Sequence, residues 1–178
     1  MNQIIKTKGI TFGLILGFIL ALITAYGYAI DLSLFTSYWL LLFNFFIIII
    51  VGILAVAYSK KALGGFITFK EAFTAYVITI SMGLLISVLV GYLIFNIIDP
   101  GVKVQLTDMT IEKTVETMER FDVPQENIDE AIENIREQDS FSIVNQIKSY
   151  FIMVAIYSLF GLLIALILKR NDPNKQPS

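Results

Sequence analysis

The side chains able to do chemistry in this 178-residue chain are few, and they fall into three groups. Glu71, inside Thr68-Phe69-Lys70-Glu71, sets an acid beside a base and offers general acid–base work. The segment 101–146 strings Asp108, Glu112, Glu116, Glu119, Asp122, Glu126 and further acids against only Lys103, Lys113, Arg120 and Arg136. That composition suits a divalent cation or a basic partner. Thr74, Thr79, Ser81 and Ser87 lie in an otherwise apolar run and could line a pore for an uncharged solute. With no His and no Cys, the chain has no thiol nucleophile, disulfide, Cys/His zinc site, axial His for haem or His base.

Each group also has a simpler explanation. Thr68 followed three residues later by Glu71 is a capping box: the hydroxyl accepts from the Glu71 backbone and the carboxylate reaches back. Glu71 therefore has a structural role before any catalytic one, at the end of a helix whose dipole favours an acid. The acids of 101–146 lack the clustered Asp residues and glycine of a calcium loop, and acids opposite apolar stripes are solvated faces. Hydroxyls inside apolar helices bond back to their own backbone or to a neighbouring helix. There is no phosphate-cradling loop, dinucleotide fingerprint or basic nucleic-acid patch. The chain is expected to be no enzyme, to carry no cofactor or metal and to bind no nucleic acid.

The elements that carry these residues follow from hydropathy. Hydrophobic residues make up 56% of the chain and gather into runs at about 9–30, 38–58, 69–98 and 147–168, each near the roughly 20 residues that cross a bilayer. The predicted fold is all-α: a four-helix transmembrane bundle forming one membrane domain over 1–178. The first run exceeds the about 7–15 apolar residues of a signal core and is expected to be a retained anchor. Tyr38-Trp39 and Tyr58 belong at the two water interfaces of the second span. Gly64-Gly65 marks a tight reversal before the third span, and Asp99-Pro100-Gly101 stops that span. Its length from Phe69 to Ile98, about 45 Å at 1.5 Å per residue, exceeds a hydrocarbon core.

Between the third and fourth spans, Ile111, Val115 and Met118 form one apolar stripe and Ile128, Ala131, Ile132 and Ile135 another. Asp122-Val123-Pro124 separates them. This insertion, 101–146, reads as an acidic helical hairpin. The tail 171–178 has two prolines and no apolar residue, and is expected to be disordered.

Lysine placement gives the orientation. With four spans, Lys6, Lys8, Lys60, Lys61, Lys70, Lys169, Arg170 and Lys175 share one side, while the other receives Asp31 and the acidic insertion. Both termini are then cytoplasmic and the hairpin extracytoplasmic. No charged residue lies in the middle of a span, which argues against an ion-coupled transporter or voltage sensor.

What associates the spans must be close packing, since lipid removes the hydrophobic drive. The first span has a small residue every fourth position, Gly9, Gly13, Gly17, Ala21 and Ala25; the third repeats the rhythm with Ala75, Thr79, Gly83, Ser87 and Gly91. These ridges are expected to pack spans one and three together; the alternative is that one of them joins two copies. The functional expectation is a non-enzymatic interaction or assembly protein whose partners are the bilayer and a second copy or another membrane protein. The alternative is a small oligomeric channel or facilitator for an uncharged solute.

The stretch Leu63-Gly64-Gly65-Phe66-Ile67-Thr68-Phe69-Lys70-Glu71-Ala72-Phe73, the Asp99-Pro100-Gly101 stop, the acidic insertion and the Lys/Arg end of the last span together resemble a family of small bacterial membrane proteins of unknown function, mostly from Bacteroidota. The resemblance spans nearly the whole chain, and the Gly-Gly-Phe-Ile-Thr-Phe loop is its most specific piece. It implies a four-span protein of the bacterial inner membrane, and brings no activity, cofactor or catalytic residue.

Overall fold

A computed structural model describes residues 2–171. Among them the chain forms α1 (Gln3–Ile30), a 3-10 turn (Leu32–Thr36), α2 (Tyr38–Ala62), α3 (Phe69–Tyr92), α4 (Val102–Arg120), α5 (Gln125–Glu137) and α6 (Ile143–Leu168). A π-helical stretch, Leu93–Ile98, extends α3 directly. The fold is all-α, and α1, α2, extended α3 and α6 are long and apolar enough to cross a bilayer. The chain is a multi-pass membrane protein, with α4 and α5 forming the acidic hairpin between its third and fourth spans. Residues 172–178 of the expected disordered tail lie outside the described residues.

Local chemistry starts and stops these helices. Asn2 caps α1 through Oδ1, 3.0 Å from the Ile4 N–H. Asp31 caps the 3-10 turn, accepting from the Ser33 N–H at 2.9 Å, and hydrogen bonds from Ser33 hold its carboxyl below the ordinary range. Ser142 caps α6, which starts at Ile143 rather than 147. Lys148, within the expected span, then lies in the second turn of the helix, exposed and at the hairpin end.

α3 is the hub of the bundle. It packs against α1, α2 and α6, and its seam with α1 is the most extensive contact in the molecule. The main core runs along that seam and includes Ile5, Leu16, Val56, Ala72, Ala75, Tyr76, Ile80 and Ala165. A second, smaller cluster closes the other end: Ile94, Phe95, Val102 and Leu106 pack with Phe35 and Phe141.

The hairpin is seated on the bundle by α4. Leu106 and Val102, about one and a half and two and a half turns before the Ile111–Val115–Met118 stripe, are its buried anchors, and Ile128 is buried on α5. The Tyr38 hydroxyl lies 2.7 Å from Thr117 Oγ1, and Lys113 Nζ sits 5.8 Å from the Tyr38 ring centre. Glu116 bridges Lys113 at 2.6 Å and Arg120 at 2.9 Å, and the Lys113 bond and charge hold its carboxyl below the ordinary range.

The α4–α5 turn rests on one residue in the left-handed region, Asp122, with φ of 53°. There the Val123 N–H returns to the Met118 carbonyl at 3.0 Å, the wide loop of a Schellman ending. Glycine adopts this backbone without strain, whereas an L side chain costs about 1–2 kcal/mol. Asp122→Gly is expected to leave the hairpin equally or more stable by up to about 1 kcal/mol, and Asp122→Val to fray it. Amide exchange protection across Met118–Ile128 reads both.

Candidate functional site

The residues singled out by spacing gather at two places, the α1–α3 seam and the Lys-rich end. Along the seam, Gly9, Gly13 and Gly17 are buried against α3. A methyl on Gly9 would stand 2.9 Å from Ile78 Cγ2, one on Gly13 2.6 Å from Met82 Cβ, and one on Gly17 2.6 Å from Ile86 Cδ1. From the other helix, Gly83 is filled by Leu16, with Cδ2 2.5 Å from where its Cβ would be. Backbones meet closely enough for the Thr79 hydroxyl to reach the Gly9 carbonyl at 3.1 Å as well as its own Ala75 carbonyl at 2.9 Å. Ala75 and Thr79 are fully buried.

The ridges are not uniform. Ala21 is half-buried and Ala25 exposed, while Gly91 has its nearest outside neighbour, Phe95, at 4.0 Å. Bulk intervenes at this end: Phe35 packs on Gly27, with ring atoms 3.0 Å from a would-be Cβ, and meets Phe95 edge-on at 5.6 Å. Ser87 leaves the seam and lines a cavity described below.

At the Lys-rich end, Gly64 and Gly65 both have positive φ, 76° and 91°. The Gly65 N–H returns to Lys60 O at 2.9 Å and the Gly64 N–H to Lys61 O at 3.2 Å, a Schellman ending for α2. Thr68 and Glu71 form both halves of the capping box on α3. Between turn and cap, Ile67 pairs antiparallel with Arg170: Ile67 N–H to Arg170 O at 2.9 Å and Arg170 N–H to Ile67 O at 2.8 Å. The Arg170 guanidinium lies 5.3 Å from the Phe66 ring centre, and Lys60 Nζ donates to the Leu168 carbonyl at the end of α6 at 2.9 Å. The loop thus clasps the exit of the last helix. Nothing lies within 4 Å of a Cβ on Gly64 or Gly65, so backbone angle alone demands glycine. Gly65→Ala is expected to cost about 1–2 kcal/mol, read as a lower melting temperature in detergent.

Three further arrangements had no motif to announce them. The first is Tyr76, fully buried at the centre of the bundle. Gly52 of α2 and Gly161 of α6 give way to opposite edges of its ring; a Cβ on Gly161 would lie 2.5 Å from Tyr76 Cδ1. Its hydroxyl has no hydrogen-bond partner in the protein. A lone glycine in each of two spans of large residues is the signal that could have found it.

The second lies where α3 turns π-helical, a distortion that reorients side chains. Asn96 donates to Phe141 O at 3.1 Å and accepts from Lys103 Nζ at 3.1 Å, and Tyr28 donates to Asp99 at 3.2 Å. This network ties α1, α3, α4 and the loop before α6 together.

The third is a cavity of about 480 Å³ among α1, α2, α3 and α6, on the hairpin side of Tyr76. Its wall is largely apolar, and its polar members are Asn44, Ser87 and Tyr157. Asn44 Oδ1 is buried and has no partner in the protein. Phe45 packs against Tyr157 and Phe160 of α6 at 5.9 and 5.4 Å and forms the floor. Above it Leu41, Met153 and Ile156 are exposed on the flank.

Among the described residues no group of acids could hold a metal ion, and the Thr68–Glu71 cap on α3 stands apart from the hairpin acids of α4 and α5. Among the described residues the geometry offers packing, capping and an apolar cavity, with no nucleophile beside a base. No curated protein and no solved structure matches the chain. Residues 11–170 match a family described as a protein of unknown function, and on that match the chain belongs to DUF4199.

Proposed function

We propose that this protein acts by interaction within the membrane, with a second copy or another membrane protein, and neither catalyses a reaction nor conducts a solute. The observation that carries this is the filled centre of the bundle. Tyr76 fills the space between Gly52 of α2 and Gly161 of α6, and among the described residues no charged side chain is buried with it. A path for a solute through one copy would have to displace that ring. Thr79, one of the hydroxyls that a pore would need, is engaged elsewhere, on the Gly9 and Ala75 carbonyls. The glycine ridge of α1 is covered within one copy, which leaves the outer faces of α1, α2 and α6 and the hairpin as the surfaces for a partner. The facilitator alternative has to place its path between copies.

The proposed location is the bacterial inner membrane with both termini in the cytoplasm. Lys60 on the α6 end and the Ile67–Arg170 pair support a single Lys-rich end. Lys148 joins the bases of the hairpin on the opposite side, so the asymmetry rests on the short flanks, where the positive-inside rule is counted. A reporter fused after residue 178 is expected to read cytoplasmic.

Purified protein in liposomes is expected to release no small uncharged solute faster than empty vesicles. Release that rises with protein density would replace this proposal with the facilitator. Its dependence on the second or higher power of density would place the path between copies.

A further inference from the structure

Where the hairpin sits relative to the bilayer follows from what holds the two ends of α4. At its start, Val102 and Leu106 pack with Ile94 and Phe95 at the end of α3. From Val102 to Thr117 is about 22 Å at 1.5 Å per residue, and there the helix meets the first residue of α2. Thr117 gives its own proton to the Lys113 carbonyl at 2.7 Å, so the Tyr38 hydroxyl donates the 2.7 Å bond between them. Between these ends, Thr110, Lys113 and Thr114 line a notch with Phe35 and Thr36 of the 3-10 turn. The end of α3 and the start of α2 belong to the same end of the bundle. α4 therefore lies across that end instead of standing out from it. Tyr38 and its neighbour Trp39, 82% exposed, are aromatics of the kind that mark the headgroup level, and α4 runs at that level.

Phe121 ends this helix one turn after Thr117, and residues four apart share a helix face. Its ring continues the face that Leu106, Thr110 and Thr117 turn toward the bundle, but beyond the point where α2 supports it. There it is 75% exposed. We propose that Phe121 inserts into the headgroup–acyl boundary of the leaflet on the hairpin side. α4 is then an interfacial helix, held by α3 at its inner end and by lipid at its outer end, where such helices bury apolar side chains roughly 5–10 Å deep. Acids outnumber bases across the hairpin, so attraction to anionic headgroups does not hold it in place. The ring does, and the contact needs no anionic lipid.

The chain has no cysteine, so Phe121→Cys gives a unique site for a nitrobenzoxadiazole label on the full chain in phosphatidylcholine nanodiscs. Doxyl groups high on the lipid chains quench the label from the bilayer, and iodide quenches it from water. Glu130→Cys, exposed on α5, is the aqueous control. The ratio of doxyl to iodide quenching at position 121 is expected to exceed that at 130 by about fivefold or more, as for a side chain below the headgroups. A smaller difference places the ring in water and overturns the proposal. Protection from both quenchers means that protein covers the ring, a second copy for instance, and overturns it equally. Quenching by doxyl that appears only when phosphatidylglycerol is added would replace insertion with charge attraction. Should the label disturb the hairpin, the unaltered chain decides, photolabelled by a phospholipid with a diazirine near its headgroup. Capture on the peptide containing Phe121 supports the insertion, and capture confined to the four spans refutes it.

Discussion

Gly13→Ile is expected to prise α1 from α3 and to lower stability in detergent by about 3 kcal/mol, at the upper end of what overpacking a filled core costs. Of the ridge positions it has the least room to yield. A Cβ there meets Met82 Cβ at 2.6 Å and the Thr79 carbonyl at 3.1 Å, both fixed to the backbone of α3, so no rotamer change clears them. Gly17→Ile meets Ile86 Cβ at 2.7 Å and comes close behind. Separating the helices would also lengthen the Thr79 bond to the Gly9 carbonyl, which depends on the same close approach. At about 2–4 °C per kcal/mol for a chain of this size, the loss for Gly13→Ile is roughly 6–12 °C. Ala25→Ile and Gly91→Ala serve as controls on the same ridges. Ala25 is exposed, and Gly91 has open space to 4.0 Å, so both should leave melting within about 2 °C of the parent. Equal damage at all four positions would mean that the seam runs the full length of both helices. No damage at Gly13 would mean that it is not the seat.

The contrast between Gly13 and Gly91 shows where a sequence pattern stops being informative. A small residue every fourth position records that a helix has a flat face; it does not record how far two flat faces stay together. Phe35 in the 3-10 turn and Phe95 in the π stretch set the separation at the hairpin end, and neither is part of a four-residue rhythm. The capping box was legible for the opposite reason. It is a contact between Thr68 and Glu71, three residues apart, so local sequence contains the whole of it. The pairing of Ile67 with Arg170 joins positions over a hundred residues apart through backbone atoms, which carry no side-chain signature. Spans, hairpin and the reversal at Gly64-Gly65 were readable from hydropathy and glycine placement. The buried Tyr76 and the unmet Asn44 were not, because burial inside a membrane helix depends on its neighbours and not on its own period.

Tyr76 gives the second large effect, and its two halves should separate cleanly. Tyr76→Ala empties the centre of the bundle where Gly52 and Gly161 have no side chain to move inward. The cavity can close only by moving helices, and removal of a buried aromatic ring costs about 3–5 kcal/mol. Tyr76→Phe removes only the hydroxyl, which no protein group meets. Deleting an unpaired buried polar atom relieves its desolvation cost, so the variant should melt at the same temperature as the parent or a few degrees higher. If Tyr76→Phe instead lost more than about 1 kcal/mol, the hydroxyl would be making a bond in the membrane, and the centre of the bundle would be polar rather than plugged. Gly161→Leu tests the same packing from the facing helix. Its Cβ would lie 2.5 Å from the ring, and it should destabilise the parent by about 2–3 kcal/mol, within the range for overpacking. Combined with Tyr76→Ala the loss should be smaller than the sum, since the leucine then fills space that the ring has left. A strictly additive double variant would show that α6 does not rest on Tyr76. The proposal that no solute passes through one copy would then lose its support, because the filled centre depends on that contact.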